Sequence, residues 1–259
     1  MKKGIYSWFG YPVAFDDRMA MIKNAGFETV MLWWGDEREA VDGSKFLQPE
    51  IVKKHGLTIE NVHLPFDGIG ILWQDTNEAN LYEAKIIKQI EEIAAFDVDT
   101  VIMHITNGSK LPTLSDVMLN RIKRINEVAK KHNIRLALEN LKVIGALDFI
   151  LDNIKDENVG FCYDSGHHNC YCWDQDLLKR YKDRLFAIHL HDNDSTSDMH
   201  KLPYDGTIDW DYVYNGIVSS IYDRSLTLEL EGNKSVMYHH LSPEAFLNES
   251  MQRLLRLDK

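Results

Sequence analysis

Short apolar segments recur at fairly regular intervals along the chain, and each has the length of a β-strand. They are rich in valine, isoleucine, leucine and aromatic residues. Several are hydrophobic almost throughout, which is typical of strands buried on both faces of a parallel sheet. Eight such segments lie at residues 4–8, 29–34, 57–64, 100–105, 135–140, 159–164, 185–190 and 225–231. The pattern therefore predicts eight buried strands.

Helical periodicity fills the sequence between these strands. One apolar stripe follows a suitable helix cap at Ser115 and comprises Val117, Ile122, Ile125 and Val128. A second stripe comprises Leu81, Ala84, Ile87, Ile90 and Ala94. We therefore expect one α/β domain over residues 1–259, a single (β/α)8 TIM barrel with a parallel eight-stranded sheet. A doubly wound sheet is the alternative fold, but the chain has no GxGxxG turn and no P-loop.

Composition narrows the range of partners. The 259 residues are 44% hydrophobic, which is enough for a full core without disulfides. Forty acidic residues against 29 lysines and arginines give a net charge of −11, which repels phosphate backbones and makes nucleic acid an unlikely partner. No apolar run is long enough to cross a membrane. With three cysteines and no secretion signal, the expected location is the cytoplasm.

Side chains that can bind a metal stand at the ends of six predicted strands. They are His63, His104, Glu139, Asp164, His189 or His191, and Glu229 or Glu231. The carboxyl ends of barrel strands converge on one mouth, so these distant residues would meet in a single site. A hydrogen-bonded role at the rim is the alternative for each of them taken singly.

Two local strings sharpen this expectation. An acid ends the sixth strand at Asp164, and His167 follows three positions later, where a turn could direct both at one cation or at two adjacent ones. His189 and His191 share one face of the seventh strand because strand side chains alternate. The alternative for this pair is one buried, hydrogen-bonded histidine and one solvated at the rim. The single Cys-x-Cys at 170–172 lacks a second pair, so we interpret it as ordinary loop cysteines.

Six longer strings are specific as a set. They are VHLP at 62–65, ALEN at 137–140, FCYDSGH at 161–167, IHLHD at 188–192, DMHKLPYDGTIDW at 198–210 and LTLEL at 226–230. Through them the chain resembles, from about residue 60 onward, the xylose-isomerase-like barrel superfamily. That superfamily contains sugar isomerases and epimerases and the endonuclease IV type of apurinic endonuclease. The resemblance implies a divalent cation held by Glu139, Asp164, His189 and Glu229.

The endonuclease branch adds further ligands, which match His63, His104, His167, Asp198 and His200. They would make a multinuclear zinc site, so the number of cations stays open, as does the choice among Mn, Zn, Mg and Co. Glu229 is preferred to Glu231 because LTLEL resembles the family's ending of the eighth strand. In the epimerases the matching glutamates also carry protons, which implies acid/base roles for Glu139 and Glu229, with purely structural ligation as the alternative.

Aromatic residues near the first strand ends could form an apolar wall for a sugar ring, or could simply pack within the barrel. The candidate substrate-binding residues are Trp8, Trp33, His63, His167 and His191. Few cations lie near strand ends, with Lys142 and Lys201 the best placed, and no glycine cluster suggests a phosphate cradle. An unphosphorylated or singly charged carbohydrate is therefore the expected substrate.

Three functions remain in competition. The first is a metal-dependent sugar isomerase or epimerase that moves a proton next to a carbonyl through an enediolate. The second is an endonuclease IV-like zinc hydrolase of abasic DNA or another phosphodiester, and the third is a barrel that binds a carbohydrate without turnover. The acidic charge and the loop 67–76, which contains no arginine or lysine, favour the first. A homo-oligomer is possible.

Overall fold

The computed structural model describes residues 1–258 and contains eight parallel strands in one sheet. Their bounds are β1 (Lys2–Tyr6), β2 (Thr29–Trp33), β3 (Thr58–His63), β4 (Thr100–Met103), β5 (Arg135–Glu139), β6 (Val159–Asp164), β7 (Leu185–His189) and β8 (Ser225–Leu228). Neighbours in sequence are neighbours in the sheet, and β1 also pairs with β8. The predicted (β/α)8 barrel is confirmed, with several strands ending earlier than expected.

The barrel closes between β7 and β8 through the residue that follows β7. The amide of Leu190 donates to the carbonyl of Thr227 at 2.9 Å, and the amide of Glu229 donates to the carbonyl of Leu190 at 3.0 Å. Leu190 and Leu228 thereby form an isolated parallel bridge. This narrow seam lies at the carboxyl ends of the strands.

Helices surround the sheet. In the part of the chain that the structure describes they are α1 (Phe15–Asn24), α2 (Glu39–Asp42), α3 (Gln48–Lys54), α4 (Asn77–Ile93), α5 (Asp116–Lys131), α6 (Ile144–Asn153), α7 (Ser165–Tyr171), α8 (Leu177–Arg180), α9 (Trp210–Val218) and α10 (Pro243–Leu257), with 3-10 turns at Ile69–Trp73, Lys182–Arg184 and Val236–Tyr238. None of these helices is both long and apolar enough to span a bilayer.

The structure tests the two apolar helix faces that the sequence predicts, in α5 and in α4. Helix α5 buries Ile122 and Ile125 as expected. In α4 the expected stripe is confirmed only in part: Ile90 is buried, but Leu81 is 73% exposed and the buried face also contains Glu83 and Ile86. Glu83 lies inside because its carboxylate accepts hydrogen bonds from Arg121 and Arg124 of α5, at 2.5 and 2.6 Å.

Two apolar clusters make up the core. The larger one fills the space between the sheet and the helices. The smaller one fills the barrel lumen and consists of Tyr6, Met31, Ile102, Ala137, Cys162, Phe186 and Ala187. Side chains two positions further along a strand point the same way, so this lumen cluster forms the floor under the barrel mouth.

Candidate metal centre

Strand alternation brings the predicted metal ligands together above the lumen cluster. Ile102, Ala137, Cys162 and Ala187 face inward, so the residues two positions later also point into the mouth. Those residues are His104, Glu139, Asp164 and His189. The same geometry places His63 and Glu229 at the ends of β3 and β8.

The carboxylate of Glu139 is the centre of the cluster. His63 Nε2 and His104 Nε2 each lie 3.2 Å from its Oε2, and His189 Nδ1 lies 3.5 Å from the same oxygen. His167 Nδ1 approaches the other oxygen at 3.0 Å. Glu139 is only 1% exposed, so this carboxylate is surrounded by imidazole rings in the protein interior.

Two glutamates follow β8, and they lie in different surroundings. Glu229 Oε2 is 3.1 Å from His189 Nδ1, inside the cluster. Glu231 Oε1 instead pairs with Lys234 Nζ at 3.1 Å. The geometry therefore favours Glu229 over Glu231 as the residue available to a cation.

Asp164 and His191 form the wall between α7 and β7. Asp164 caps α7 by accepting the amide of His167 at 2.6 Å, and Asn140 holds its backbone through two hydrogen bonds of 2.7 and 2.9 Å. His191 Nε2 lies 3.1 Å from both carboxylate oxygens of Asp164. A Cβ at Gly166 would approach the His191 ring to 1.9 Å, so only glycine leaves room for this histidine.

The loop after β7 brings two more predicted ligands into the cluster. His200 Nε2 lies 3.1 Å from Asp198 Oδ2, and His191 Nε2 lies 3.6 Å from the other oxygen of Asp198. The His191 and His200 rings stack with centroids 4.2 Å apart. His167 Nε2 also reaches Asp198, at 3.6 Å, which links this group to the one around Glu139.

The electrostatics of the mouth favour positive charge. Burial would raise the pKa of the Glu139 carboxyl, but the histidines around it, His104 and His189 foremost, hold that pKa well below its usual range. Burial would lower the pKa of His200, but the neighbouring Asp198 carboxylate raises it to about 9. Closely spaced carboxylates in a buried site attract either imidazolium rings or a bound metal cation.

The donor set fits a divalent metal ion. Within residues 1–258 several buried ring nitrogens form no hydrogen bond of good geometry, namely both of His189, Nδ1 of His167 and Nδ1 of His191. Carboxylate oxygens nevertheless lie 3.0 Å from His167 Nδ1 and 3.1 Å from His189 Nδ1. His63, Glu139 and His189 offer ligand atoms within 4.8 Å of one another, and so do His191, Asp198 and His200. Such spacing and mixed nitrogen and oxygen donors suit zinc and related divalent ions.

A cavity of about 280 Å³ opens over the cluster. Of the predicted substrate-binding residues, Trp33, His63 and His167 line it, whereas Trp8 and the fully buried His191 do not. Trp33 stacks near His63 with centroids 5.2 Å apart, and Phe66 stacks on His104 at 3.9 Å. The apolar wall is therefore built from Trp33 and Phe66.

Sequence reasoning missed other residues of the cavity. Tyr6, Met31, Arg38, Asp67 and Lys234 line it, whereas Lys142 and Lys201 do not. Tyr6 could have been found from the sequence, because it lies two positions before Trp8 on the first predicted strand and therefore shares its face. Arg38 and Lys234 lie on irregular segments, where no periodicity indicates a direction.

The chain belongs to the xylose isomerase-like TIM barrel family, whose sequence profile matches residues 19–257. Three solved structures share its fold over nearly the whole chain. A D-tagatose 3-epimerase-like protein covers 100% of this chain and 98% of its own, with 20% identity and a TM-score of 0.77. D-psicose 3-epimerase from Clostridium cellulolyticum H10, solved with D-tagatose, covers the same shares with 14% identity and a TM-score of 0.81.

The third structure is the IolI protein with a bound zinc atom, which covers 99% of this chain and 98% of its own, with 14% identity and a TM-score of 0.78. A curated relative, the uncharacterized protein y4fM of Sinorhizobium fredii (strain NBRC 101917 / NGR234), is 30% identical over 141 residues. The match covers 50% of this chain and 42% of that protein, so less than half of that relative is matched.

Proposed function

We propose that the protein is a divalent-metal-dependent sugar isomerase or epimerase that moves a proton next to a sugar carbonyl through an enediolate. The observation that supports this most is the placement of two carboxylates, Glu139 and Glu229, on the same ring nitrogen of His189, at 3.5 and 3.1 Å. Both carboxylates line the cavity that carries the aromatic wall. Proton transfer to and from one carbon needs such a pair of groups facing a single substrate.

Each glutamate has a distinct task in this proposal. One carboxylate removes the proton from the carbon next to the carbonyl. The other returns a proton, to the former carbonyl carbon in an isomerisation or to the opposite face of the same carbon in an epimerisation. A divalent cation, when bound, would stabilise the negative charge that develops on the substrate oxygens. The residues that would hold it are Glu139, Asp164, His189 and Glu229, with His63, His104, His167, Asp198 and His200 available for further ions.

The substrate we propose is a small carbohydrate. The cavity is slightly smaller than most ligand pockets, and the edge-on rings of Trp33 and Phe66 give it an apolar corner that can contact the hydrophobic face of a sugar. One structural neighbour is a D-psicose 3-epimerase solved with D-tagatose, which supports this substrate class. We also propose a cytoplasmic location, because a reducing compartment suits the free thiols Cys162, Cys170 and Cys172.

Solvent isotope exchange tests this function. The protein is supplied with Mn²⁺, Zn²⁺, Mg²⁺ or Co²⁺ in separate reactions and incubated with a panel of ketoses and aldoses in deuterated water. We expect deuterium at the carbon next to the carbonyl of at least one sugar, and we expect the label to vanish with a chelator. Absence of label from every sugar with every metal would contradict the proposal.

Hydrolysis of a phosphodiester is the second candidate, and one observation favours it. Asp198 and His200 lie in hydrogen-bonding contact with each other beside His167 and His191, so all positions that match the endonuclease branch meet in one cluster. The net charge of −11 argues against DNA as the substrate. Metal-dependent cleavage of an abasic-site duplex at low salt, without deuterium uptake by any sugar, would favour the hydrolase.

A further inference from the structure

We propose that the cavity binds an anionic substituent of its carbohydrate, a carboxylate or a phosphate group, through the guanidinium of Arg38, with Lys234 as a second cation. This inference rests on the proposed function and narrows its substrate class to acidic sugars. Both residues line the cavity that contains Glu139 and Glu229. A substrate could therefore contact the cations and the two carboxylates at the same time.

The position of Arg38 is fixed by two contacts within the barrel mouth. Its guanidinium carbon lies 4.4 Å from the centre of the Trp8 ring, and Nη1 donates a hydrogen bond of 2.9 Å to the hydroxyl of Tyr6. Tyr6 is 5% exposed and belongs to the lumen cluster. The guanidinium is thus held between the Trp8 ring and the Tyr6 hydroxyl.

Three of the four carboxylates nearest to Arg38 in sequence are engaged elsewhere, and the fourth, Glu39, is exposed and forms no ion pair with it. Asp36 pairs with Lys45 at 3.1 Å, and Asp42 pairs with the fully buried Arg18 at 2.7 Å. Glu37 accepts a hydrogen bond from the indole of Trp33.

Within residues 1–258, Arg38 therefore forms no ion pair, although the chain has an excess of eleven negative charges. A guanidinium has five N–H donors in a planar fork that matches a carboxylate or a phosphate group. One of these donors reaches Tyr6, which leaves a side of the fork for a ligand. A half-buried cation with free donors in a cavity is suited to bind an anion.

The other cation of the cavity is less firmly held. Lys234 pairs with Glu231 at 3.1 Å and is otherwise exposed, so it adds positive charge without fixed geometry. Lys142 provides a matched comparison, because it lies over the ring of Tyr171 at 5.4 Å and does not line the cavity.

Calorimetric binding to three probes with one carbon skeleton tests the inference. The probes are D-fructose, D-fructose 6-phosphate and D-fructuronate, which carry a hydroxyl, a phosphate and a carboxylate at the same end. We expect at least one charged probe to bind about tenfold more tightly than D-fructose, a difference of about 1.4 kcal/mol. The phosphate and carboxylate arms identify which anion is preferred.

Variants assign this preference to Arg38. We expect Arg38→Gln to remove most of the charge preference while changing the affinity for D-fructose by about twofold or less, and Arg38→Lys to retain part of it. Lys142→Gln removes the same charge outside the cavity and should leave the preference intact. Circular dichroism and melting temperature establish that each variant is folded.

Three results would overturn the inference. They are a wild-type protein that binds neither charged probe more tightly than D-fructose, an Arg38→Gln protein that keeps the preference, and an equal loss of affinity for all three probes in that variant. Because binding is measured without turnover, a lost preference with intact deuterium uptake contradicts only this inference. A clear preference without deuterium uptake contradicts only the proposed function.

Discussion

His189 is the side chain on which the two candidate acid/base residues meet. It is completely buried, and within residues 1–258 neither of its ring nitrogens forms a hydrogen bond of good geometry, although Nδ1 lies 3.1 Å from Glu229 Oε2. A buried ring nitrogen without a hydrogen bond costs about 1–3 kcal/mol, and the carboxylates of Glu139 and Glu229 offset this cost only in part, at Nδ1. Coordination of a cation would satisfy one of these nitrogens directly.

Replacement of either glutamate by glutamine tests the acid/base roles. We expect Glu139→Gln and Glu229→Gln to lower kcat for deuterium exchange by far more than about tenfold, because an amide keeps the shape but cannot carry the proton. Glu231→Gln is the comparison two residues further along, where the carboxylate pairs with Lys234, and its kcat should stay within about tenfold of wild type. A Glu139 or Glu229 variant that retains kcat within that range would show that the residue is not essential.

For single residues, the sequence predicts where a side chain lies in the barrel better than it predicts which side chains surround it. Strand alternation was sufficient to bring Glu139, Asp164 and His189 to one mouth. It could not show that His191 is enclosed by Asp164 and His200, because its partners come from α7 and from the loop after β7. It also could not show that Arg38 lines the cavity, because the placement of Arg38 depends on a contact with Trp8, and both residues lie on irregular segments.

The buried carboxylate of Asp192 holds the loop between β7 and α9 in its conformation. The Asp192 carboxylate is fully buried and accepts hydrogen bonds from the amides of Asn193, Tyr204 and Ile208 and from the indole of Trp210. A Cβ at Gly206 would lie 2.2 Å from this carboxylate. These contacts explain the string at 198–210, since its glycine and tryptophan hold the loop that carries Asp198 and His200.

Replacement of Asp192 by asparagine should release this loop. The amide would present an NH2 donor to N–H groups that now find an acceptor, so we expect the free energy of unfolding to fall by about 1–3 kcal/mol. We also expect faster proteolysis within residues 194–209. Asp194→Asn changes the neighbouring, more exposed acid and should alter stability by less than about 0.5 kcal/mol. Equal stability and proteolysis of both variants would contradict the anchoring role.

The interface of α4 and α5 contains a buried ion pair where the sequence predicts an apolar stripe. Hydrophobic periodicity predicts that Glu83 lies on the surface. It contains no information about Arg121, which is only 1% exposed and pairs with Glu83 from the next helix. The register of α4 is therefore set by charge pairing as well as by apolar contacts.

This ion pair makes stability depend on pH. Burial would raise the pKa of Glu83, but hydrogen bonds from Arg124 and Arg121 hold it below its usual value. A lowered folded-state pKa stabilises the protein above the unfolded pKa, and this contribution is lost as the pH falls through the folded value.

We expect Glu83→Gln to lower the free energy of unfolding at pH 7 by about 2–4 kcal/mol, because Arg121 would lose its buried counter-charge. The difference from wild type should shrink below about pH 4, measured by denaturant unfolding across the pH range. Glu91→Gln, an exposed change on the same helix, serves as the control. A difference that does not depend on pH would contradict the contribution of the Glu83 charge.

For the whole molecule, the alternation of strands and helices was enough to predict the barrel, because few topologies accommodate eight buried parallel strands. The contents of the cavity were not predictable in the same way. Its walls combine residues from the β1, β2, β3 and β8 ends, such as Tyr6, Arg38, Phe66 and Lys234. Their mutual distances depend on loop paths that local sequence does not specify.

Removal of metal should lower the stability of the entire protein. A ligand present at about 100 times its Kd stabilises the folded state by about 2.7 kcal/mol, so we expect a chelator to lower Tm by about 5–10 °C. Readdition of Zn²⁺ or Mn²⁺ should restore it, and elemental analysis should count the ions per chain. His189→Gln should respond much less to the chelator. An unchanged Tm in protein shown to contain metal would contradict the coupling.

The narrow seam between β7 and β8 has a thermodynamic consequence. The seam is joined through Leu190, and its two sides carry His189 and Glu229, whose side chains lie 3.1 Å apart. A cation shared by these two residues would connect the last strand pair of the barrel. Linkage then requires reciprocity. The factor by which a bound cation favours the closed seam equals the factor by which the closed seam raises the affinity for the cation. Barrel closure and cation affinity would therefore change together.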